Sequence, residues 1–403
     1  MRRLGLCASV VIVPWLAWGC SQPVSFPADS NWPSPAIQPF VHQARFAVTD
    51  NLSDELSYVD PIQPTLLGNV PVGDVPVELE GPHHIAASPD GKYLYYNLSN
   101  YVPGTGSGPH GSHGTGTVPG SVVKLDAMTN EKVGEVLVDR SPGDVILSKD
   151  GKTAYISHYD LLRLTSALTA GVNLPDAAYS DVAIVDTDAM TRLAMIPVCA
   201  TAHGEGLSLD GNTLYVTCAN GDELAIVDVT DRNHPSVTTR VTVGPTPGPL
   251  DTPSYSPYAL SVSPVDGTVW ISNNRSGDVR VYDPATGMMD DSKTVTVNGV
   301  TMFASFTPDG KTLYVPHQQA QDVLHQIDTA TLATRDLLLP SSACLNAHAF
   351  VLGPDGVNGI VVCEGDHVMR PGSVVFVNTA AFAITGFVNI GMFSDGAAWL
   401  PPM

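Results

Sequence analysis

The chain has 403 residues, 40 of them acidic and 19 basic, for a formal net charge of -21 at pH 7. An excess of that size argues against nucleic acid or an anionic membrane surface as a partner, and it favours solubility. With 36 glycines, 33 prolines and no long stretch of 3.6-residue apolar period, a helical architecture is disfavoured as well.

The first element is an export signal. Arg2 and Arg3 precede an apolar run from Leu4 to Trp18, too short to span a membrane, so residues 1–19 read as a signal peptide. Gly19-Cys20 resembles a bacterial lipoprotein cleavage site, with Cys20 lipidated; ordinary cleavage after Ala17-Trp18-Gly19 is the alternative. Residues 20–41, rich in proline between Pro23 and Pro39, are then an extended tether. The expected location is the periplasm or the outer-membrane or cell surface, with membrane contact only through the lipid.

Residues 42–403 are expected to form one repeat domain. A phrase recurs as S-P-D-G-K-Y-L-Y-Y from Ser88, S-K-D-G-K-T-A-Y-I from Ser148, S-L-D-G-N-T-L-Y-V from Ser208 and T-P-D-G-K-T-L-Y-V from Thr307, with looser copies from Ser263 and Gly353. Each Asp-Gly lies between two short apolar runs, the signature of a hairpin joining strands A and B. A third run ending in aspartate or its neighbour, as in Leu224 to Asp228, and a fourth, as in Val237 to Val243, complete a four-stranded antiparallel unit. Stacked units of this period are the blades of a propeller.

The chain ends set the blade number. Phe46 to Asp60 matches Tyr215 to Asp228, strands B and C of another unit, yet has no strand A before it; Phe393 to Pro401 is a lone strand A. Joining them makes a seventh blade and closes the ring without a free edge. The predicted fold is therefore all-β, a seven-bladed propeller, expected to be monomeric. The repeat resembles the YVTN family of bacterial and archaeal propellers, whose unit reads P-x-G-I-A-V-S-P-D-G-K-x-L-Y-V followed by a V-x-V-I-D strand. The resemblance covers about Phe46 to Pro401 and implies a secreted or surface propeller. Related-looking propellers include lactonases, amine dehydrogenase heavy chains and the copper-binding domain of nitrous oxide reductase. Since fold says little about function, no catalytic set is carried over.

Setting aside Cys7 and Cys20, the remaining cysteines form two pairs of equal spacing, Cys199 with Cys218 and Cys344 with Cys363, and both pairs share C-x-x-A-H. Hairpin pairing puts the second cysteine opposite the histidine that starts strand A, and the first can fold back over it. Two disulfides within blades are the natural reading in an oxidising compartment; a Cys-Cys-His metal site is the alternative.

Strand A starts and strand B ends share one rim, opposite the Asp-Gly turns. His83, His84, His203 and His348 fall at A starts, and His158 and His317 at B ends. The insertion Ser99 to Gly120 adds His110 and His113 to that rim, and the loop after Cys363 adds Glu364, Asp366 and His367. At the mouth of the channel the seven equivalent positions read His83, Gly143, His203, Tyr258, Met302, His348 and Asp395. His83, His203 and His348 with the carboxylate could hold copper, zinc or iron, and His110 and His113 could form a weaker site. The bland alternative is a histidine that only bonds neighbouring backbone. Glu205 beside His203 and Glu364 after Cys363 could serve as acid and base, although rim carboxylates on an acidic protein are more often solvated.

No covalent haem motif, nucleophile elbow, zinc-protease helix or phosphate loop is present. Two functions follow from the residues: a module whose rim, with His83, His84, His158, His203, Glu205, Tyr258, His317, His348 and Asp395, binds a protein, peptide or glycan, or a metal-dependent redox protein. A lactonase-like hydrolase is a third that the resemblance permits.

Overall fold

The computed structural model describes residues 39–73, 79–100, 117–171 and 175–403. The signal peptide, Cys20, nearly all of the tether, and His110 and His113 lie outside the described residues.

Seven antiparallel sheets follow one another around a ring. In blade 1 strands A to D are Pro82–Ala87, Tyr93–Leu98, Ser121–Asp126 and Lys132–Leu137. In blade 3 they are Ala202–Leu207, Thr213–Cys218, Glu223–Asp228 and Ser236–Thr242. The last blade is built from both ends of the chain, as the broken repeat predicts. Ser394–Leu400 supplies strand A and pairs with Arg45–Asp50, Phe46 facing Trp399 and Ala47 facing Ala398; Glu55–Val59 and Leu66–Pro71 complete the sheet.

Inner strands are buried on both faces, which is why they read as continuous apolar runs; Leu224, Ala225 and Val227 are fully buried between neighbouring blades. Strand D is outermost and reverts to alternation, as in the half-exposed Ser236–Thr242.

The repeated phrase has a mechanical explanation. In blade 1 the N–H of Gly91 donates to the Ser88 carbonyl at 2.8 Å, while the Asp90 carboxylate accepts from Ser88 Oγ and the Lys92 N–H. The glycine is left-handed, with φ of 72° at Gly91 and 68° at Gly310, a conformation that costs other residues about 1–2 kcal/mol. Two of these glycines also leave room for a residue of the preceding blade. A Cβ at Gly151 would lie 2.7 Å from Pro89, and one at Gly310 would lie 2.6 Å from Val265. The aspartate ending strand C acts on the next turn, where Asp126 Oδ1 accepts from the N–H groups of Met128 and Thr129 in an Asx turn leading to strand D.

Both disulfides form, with Cα separations of 5.7 Å for Cys199–Cys218 and 5.4 Å for Cys344–Cys363. They are not confined to single blades. Cys199 belongs to Thr191–Ala200, strand D of blade 2, and Cys218 ends strand B of blade 3, so the bond ties adjacent blades. Cys344 sits in the crossover after Thr334–Leu338 of blade 5 and is bonded to strand B of blade 6. The residues opposite Cys218 and Cys363 are Ala202 and Ala347, one before each histidine.

Candidate functional site

Strand A does not pair evenly with strand B at its start. The register slips between Pro82 and Ile85, Pro142 and Val145, Ala202 and Glu205, Pro257 and Ala259, and Ala347 and Ala349. Such a bulge re-aims side chains, and here it gives two successive residues of each blade access to the axis.

The first ring is the predicted one. His83, His203, His348 and Asp395 are fully buried and Tyr258 is nearly so. His203 stacks on Tyr258 with centroids 4.1 Å apart, and lies 6.1 Å from the His83 ring. His83 Nδ1 lies 3.0 Å from the Gly143 carbonyl, the backbone bond of the bland reading, and its Nε2 is 3.9 Å from Asp395. His348 takes another role: its Nδ1 lies 2.7 Å from Glu364 Oε1 and 3.3 Å from Asp395 Oδ1.

One residue further along, the equivalent positions are His84, Asp144, Gly204, Ala259, Phe303, Ala349 and Gly396. This second ring was missed. Three large side chains fill the space that four small ones leave. His84 Nδ1 is 3.2 Å from Asp144 Oδ1, and the His84 ring is 4.4 Å from that of Phe303. Phe303 in turn stacks on His348 at 5.6 Å. Strand A of blade 5 is broken around it into Val300–Thr301 and Ser305–Phe306, and Phe303 instead exchanges backbone bonds with blade 6, accepting from Phe350 and donating to His348. Met302, expected at the mouth, is buried against Tyr258 and Ala259. Aligning the repeats one position past the histidine would have exposed the second ring.

The carboxylates depart from the solvated expectation. Glu205, Glu364 and Asp395 are 5 %, 1 % and 0 % exposed. Burial, reinforced by Asp144, pushes the Glu205 carboxyl well above its ordinary value, and burial, reinforced by Glu364, does the same to Asp395. Burial would also raise Glu364, but hydrogen bonds from His348 and His367 outweigh it and hold the carboxyl down at about 2.

His158 and His317 stand apart from the channel layer. His158 Nδ1 lies 2.8 Å from the Asp181 carbonyl and its Nε2 accepts from the Asp139 N–H, tying down the insertion that carries helix α1 (Leu161–Thr169). His317 packs on His325, centroids 5.9 Å apart.

A cavity of about 630 Å³ runs along the axis. It reaches from exposed Pro89 and Lys149 on the Asp-Gly rim down to buried His84 and Asp144 and partly buried Phe303. Of the histidines its lining includes His84, so the channel reaches the second ring from the rim opposite the one expected. The walls, including Ala86, Leu147, Ala304, Val351 and Ala397, are mostly apolar.

No family model and no curated protein matches the chain. Solved structures match across nearly the whole ring. A functionally unknown protein from Desulfotomaculum acetoxidans superposes with a TM-score of 0.66 at 11% identity, over 89% of this chain and 99% of that one. The periplasmic gluconolactonase of Pseudomonas aeruginosa gives 0.62 at 16% identity, over 89% and 99%. The hydrazine synthase of Kuenenia stuttgartiensis gives 0.59 at 20% identity, over 81% and 91%. These likenesses establish the fold and nothing finer.

Proposed function

We propose that this is an exported, YVTN-type propeller, anchored through Cys20, that binds a small ligand in its axial channel. Its floor is formed by His84, Asp144 and Phe303. Export is supported by the two disulfides, which persist in oxidising compartments. One observation carries the binding reading: His84 lines the cavity floor, is almost fully buried, and its Nε2 has no hydrogen-bond partner among the described residues. A buried polar nitrogen without a partner costs free energy, and a ligand group entering the cavity would satisfy it. The ligand class follows from the lining: an apolar body along the walls, ending in one polar group that reaches His84 and Asp144. A lactone hydrolase, the activity named for the Pseudomonas neighbour, would need polar walls for sugar hydroxyls, so the apolar lining favours binding.

The test is a titration with butyl to decyl amines and alcohols, followed by calorimetry. Affinity should rise with chain length, fall at least tenfold in His84→Phe and disappear in Ala397→Trp, which fills the cavity. Equal binding by wild type and both folded variants would remove the channel from the account.

A further inference from the structure

Four carboxylates surround the layer, and among the described residues the ion pairs that Asp144, Glu364 and Asp395 make are with histidines. At the seam between blades 6 and 7 this leaves an imidazole and two carboxylates facing one another. One ligand atom each from His348, Glu364 and Asp395 lies within 4.8 Å of the other two, and all three side chains are buried. Donors bound at about 2.0–2.2 Å to a common ion stand roughly 3 Å apart when adjacent, close to the 2.7 and 3.3 Å found from His348 Nδ1 to Glu364 and Asp395, and the ion would take the place of the proton that His348 Nδ1 gives Glu364, released to solvent on binding.

Two further observations point the same way. Asp395 Oδ1 is fully buried, has no hydrogen-bond partner among the described residues, and faces His348. The opposite oxygens are held from behind: Asp395 Oδ2 accepts from Asn51 Nδ2 at 2.7 Å, and Glu364 Oε2 is 2.7 Å from His367 Nε2. That is how outer residues orient metal ligands. The backbone is fixed as well, because Cys363, which precedes Glu364, is bonded to Cys344, four residues before His348.

We infer that His348, Glu364 and Asp395 form a binding site for a divalent cation of the zinc or manganese class. One imidazole and two carboxylates suit a borderline-to-hard ion better than copper(I). His83 and His203 do not belong to this group: the His83 nitrogen nearest it, Nε2, is 3.9 Å from Asp395, on the oxygen that Asn51 holds, and the His203 ring is stacked on Tyr258. The site is independent of the channel ligand, and loss of either binding leaves the other measurable.

Zinc chloride titrated calorimetrically into chelator-treated, disulfide-intact protein should bind one ion per chain. Glu364→Gln and Asp395→Asn should each weaken it at least tenfold, while His234→Ala, at an exposed position, should leave it unchanged. X-ray absorption of the zinc-loaded wild type should show one imidazole among oxygen ligands, and this arm stands even if a variant fails to fold. No binding by the wild type, unchanged affinity in both carboxylate variants, or a spectrum with two or more imidazoles would each overturn the assignment.

Discussion

Acid should cost this protein stability through His158 in a way that can be isolated. Its ring is fully buried, with Nδ1–H given to the Asp181 carbonyl and Nε2 accepting the Asp139 N–H. A second proton would have to sit on Nε2, against another N–H. Burial in this setting pushes the pKa from 6.5 down to about 4. Because the folded value lies below the unfolded one, the unfolded chain takes up the proton first as pH falls. The contribution is therefore complete above about pH 6.5 and is lost progressively down to about pH 4. Two and a half units at about 1.36 kcal/mol each make roughly 3 kcal/mol. The perturbation is His158→Asn, which keeps an amide donor for the Asp181 carbonyl but cannot titrate. At pH 7 it should cost about 1–3 kcal/mol for the Asp139 N–H left without an acceptor. Urea unfolding with disulfides intact, at steps from pH 7 to pH 4, gives both stability curves. The wild-type advantage should shrink by about 3 kcal/mol across that range, and parallel curves would refute the buried neutral tautomer.

Serine at both Cys344 and Cys363 removes a bond of sequence separation 19 and should lower stability by about 3 kcal/mol in denaturant, and reductant, which opens Cys199–Cys218 as well, should lower the wild type further. Gly310→Ala combines a φ of 68° with a Cβ 2.6 Å from Val265, whereas at Gly211 the φ is 77° but nothing lies within 4 Å. Gly211→Ala should therefore show only the backbone cost of about 1–2 kcal/mol, and Gly310→Ala more; equal midpoint shifts would mean the turns do not support one another. Leu400→Ala, at a fully buried position of the closing strand, should cost about 2–5 kcal/mol in the same denaturation assay.

The fold was legible because each blade repeats a local solution. The turn of Ser88 to Gly91, the Asx turn at Asp126 and the doubly buried inner strands are all specified within a few residues, and the unmatched halves at Phe46 and Phe393 reveal how the ring closes. What depended on a bulge was less legible. A slip of one position is invisible in the repeat pattern, so Met302 was expected where Phe303 stands, and His84 and Asp144 were not recognised as a ring of their own. Position around the ring was also hard to read. Cys199 looks like a companion of strand A in blade 3 because it lies four residues before His203, yet in space it ends strand D of the preceding blade. Burial misled for the same reason. Glu205 and Glu364 occupy polar stretches at strand ends, which usually meet solvent, but the convergence of the blades on the axis buries both carboxylates.

Convergence at the seam also links binding to closure. Asp395 comes from the C-terminal strand, Asn51 from the loop after the N-terminal strand, and Thr49 Oγ1 joins both to blade 1 by accepting from Gly396 and donating to the His83 carbonyl. A cation held by Asp395 therefore binds the closed ring and not an opened one. By linkage, zinc at one hundred times its dissociation constant should stabilise the closed form by about 2.7 kcal/mol. That gain should appear in Leu400→Ala as well as in the wild type, because Leu400 lies at the far end of the strand from the ligands. In Asp395→Asn, whose ring closes through the same strand pairing, a tenfold weaker site would leave about 1.4 kcal/mol or less at the same zinc concentration. Equal stabilisation of all three by zinc would place the ion away from the seam; full stabilisation of the first two alone would show that the closing strand carries a ligand as well as an edge.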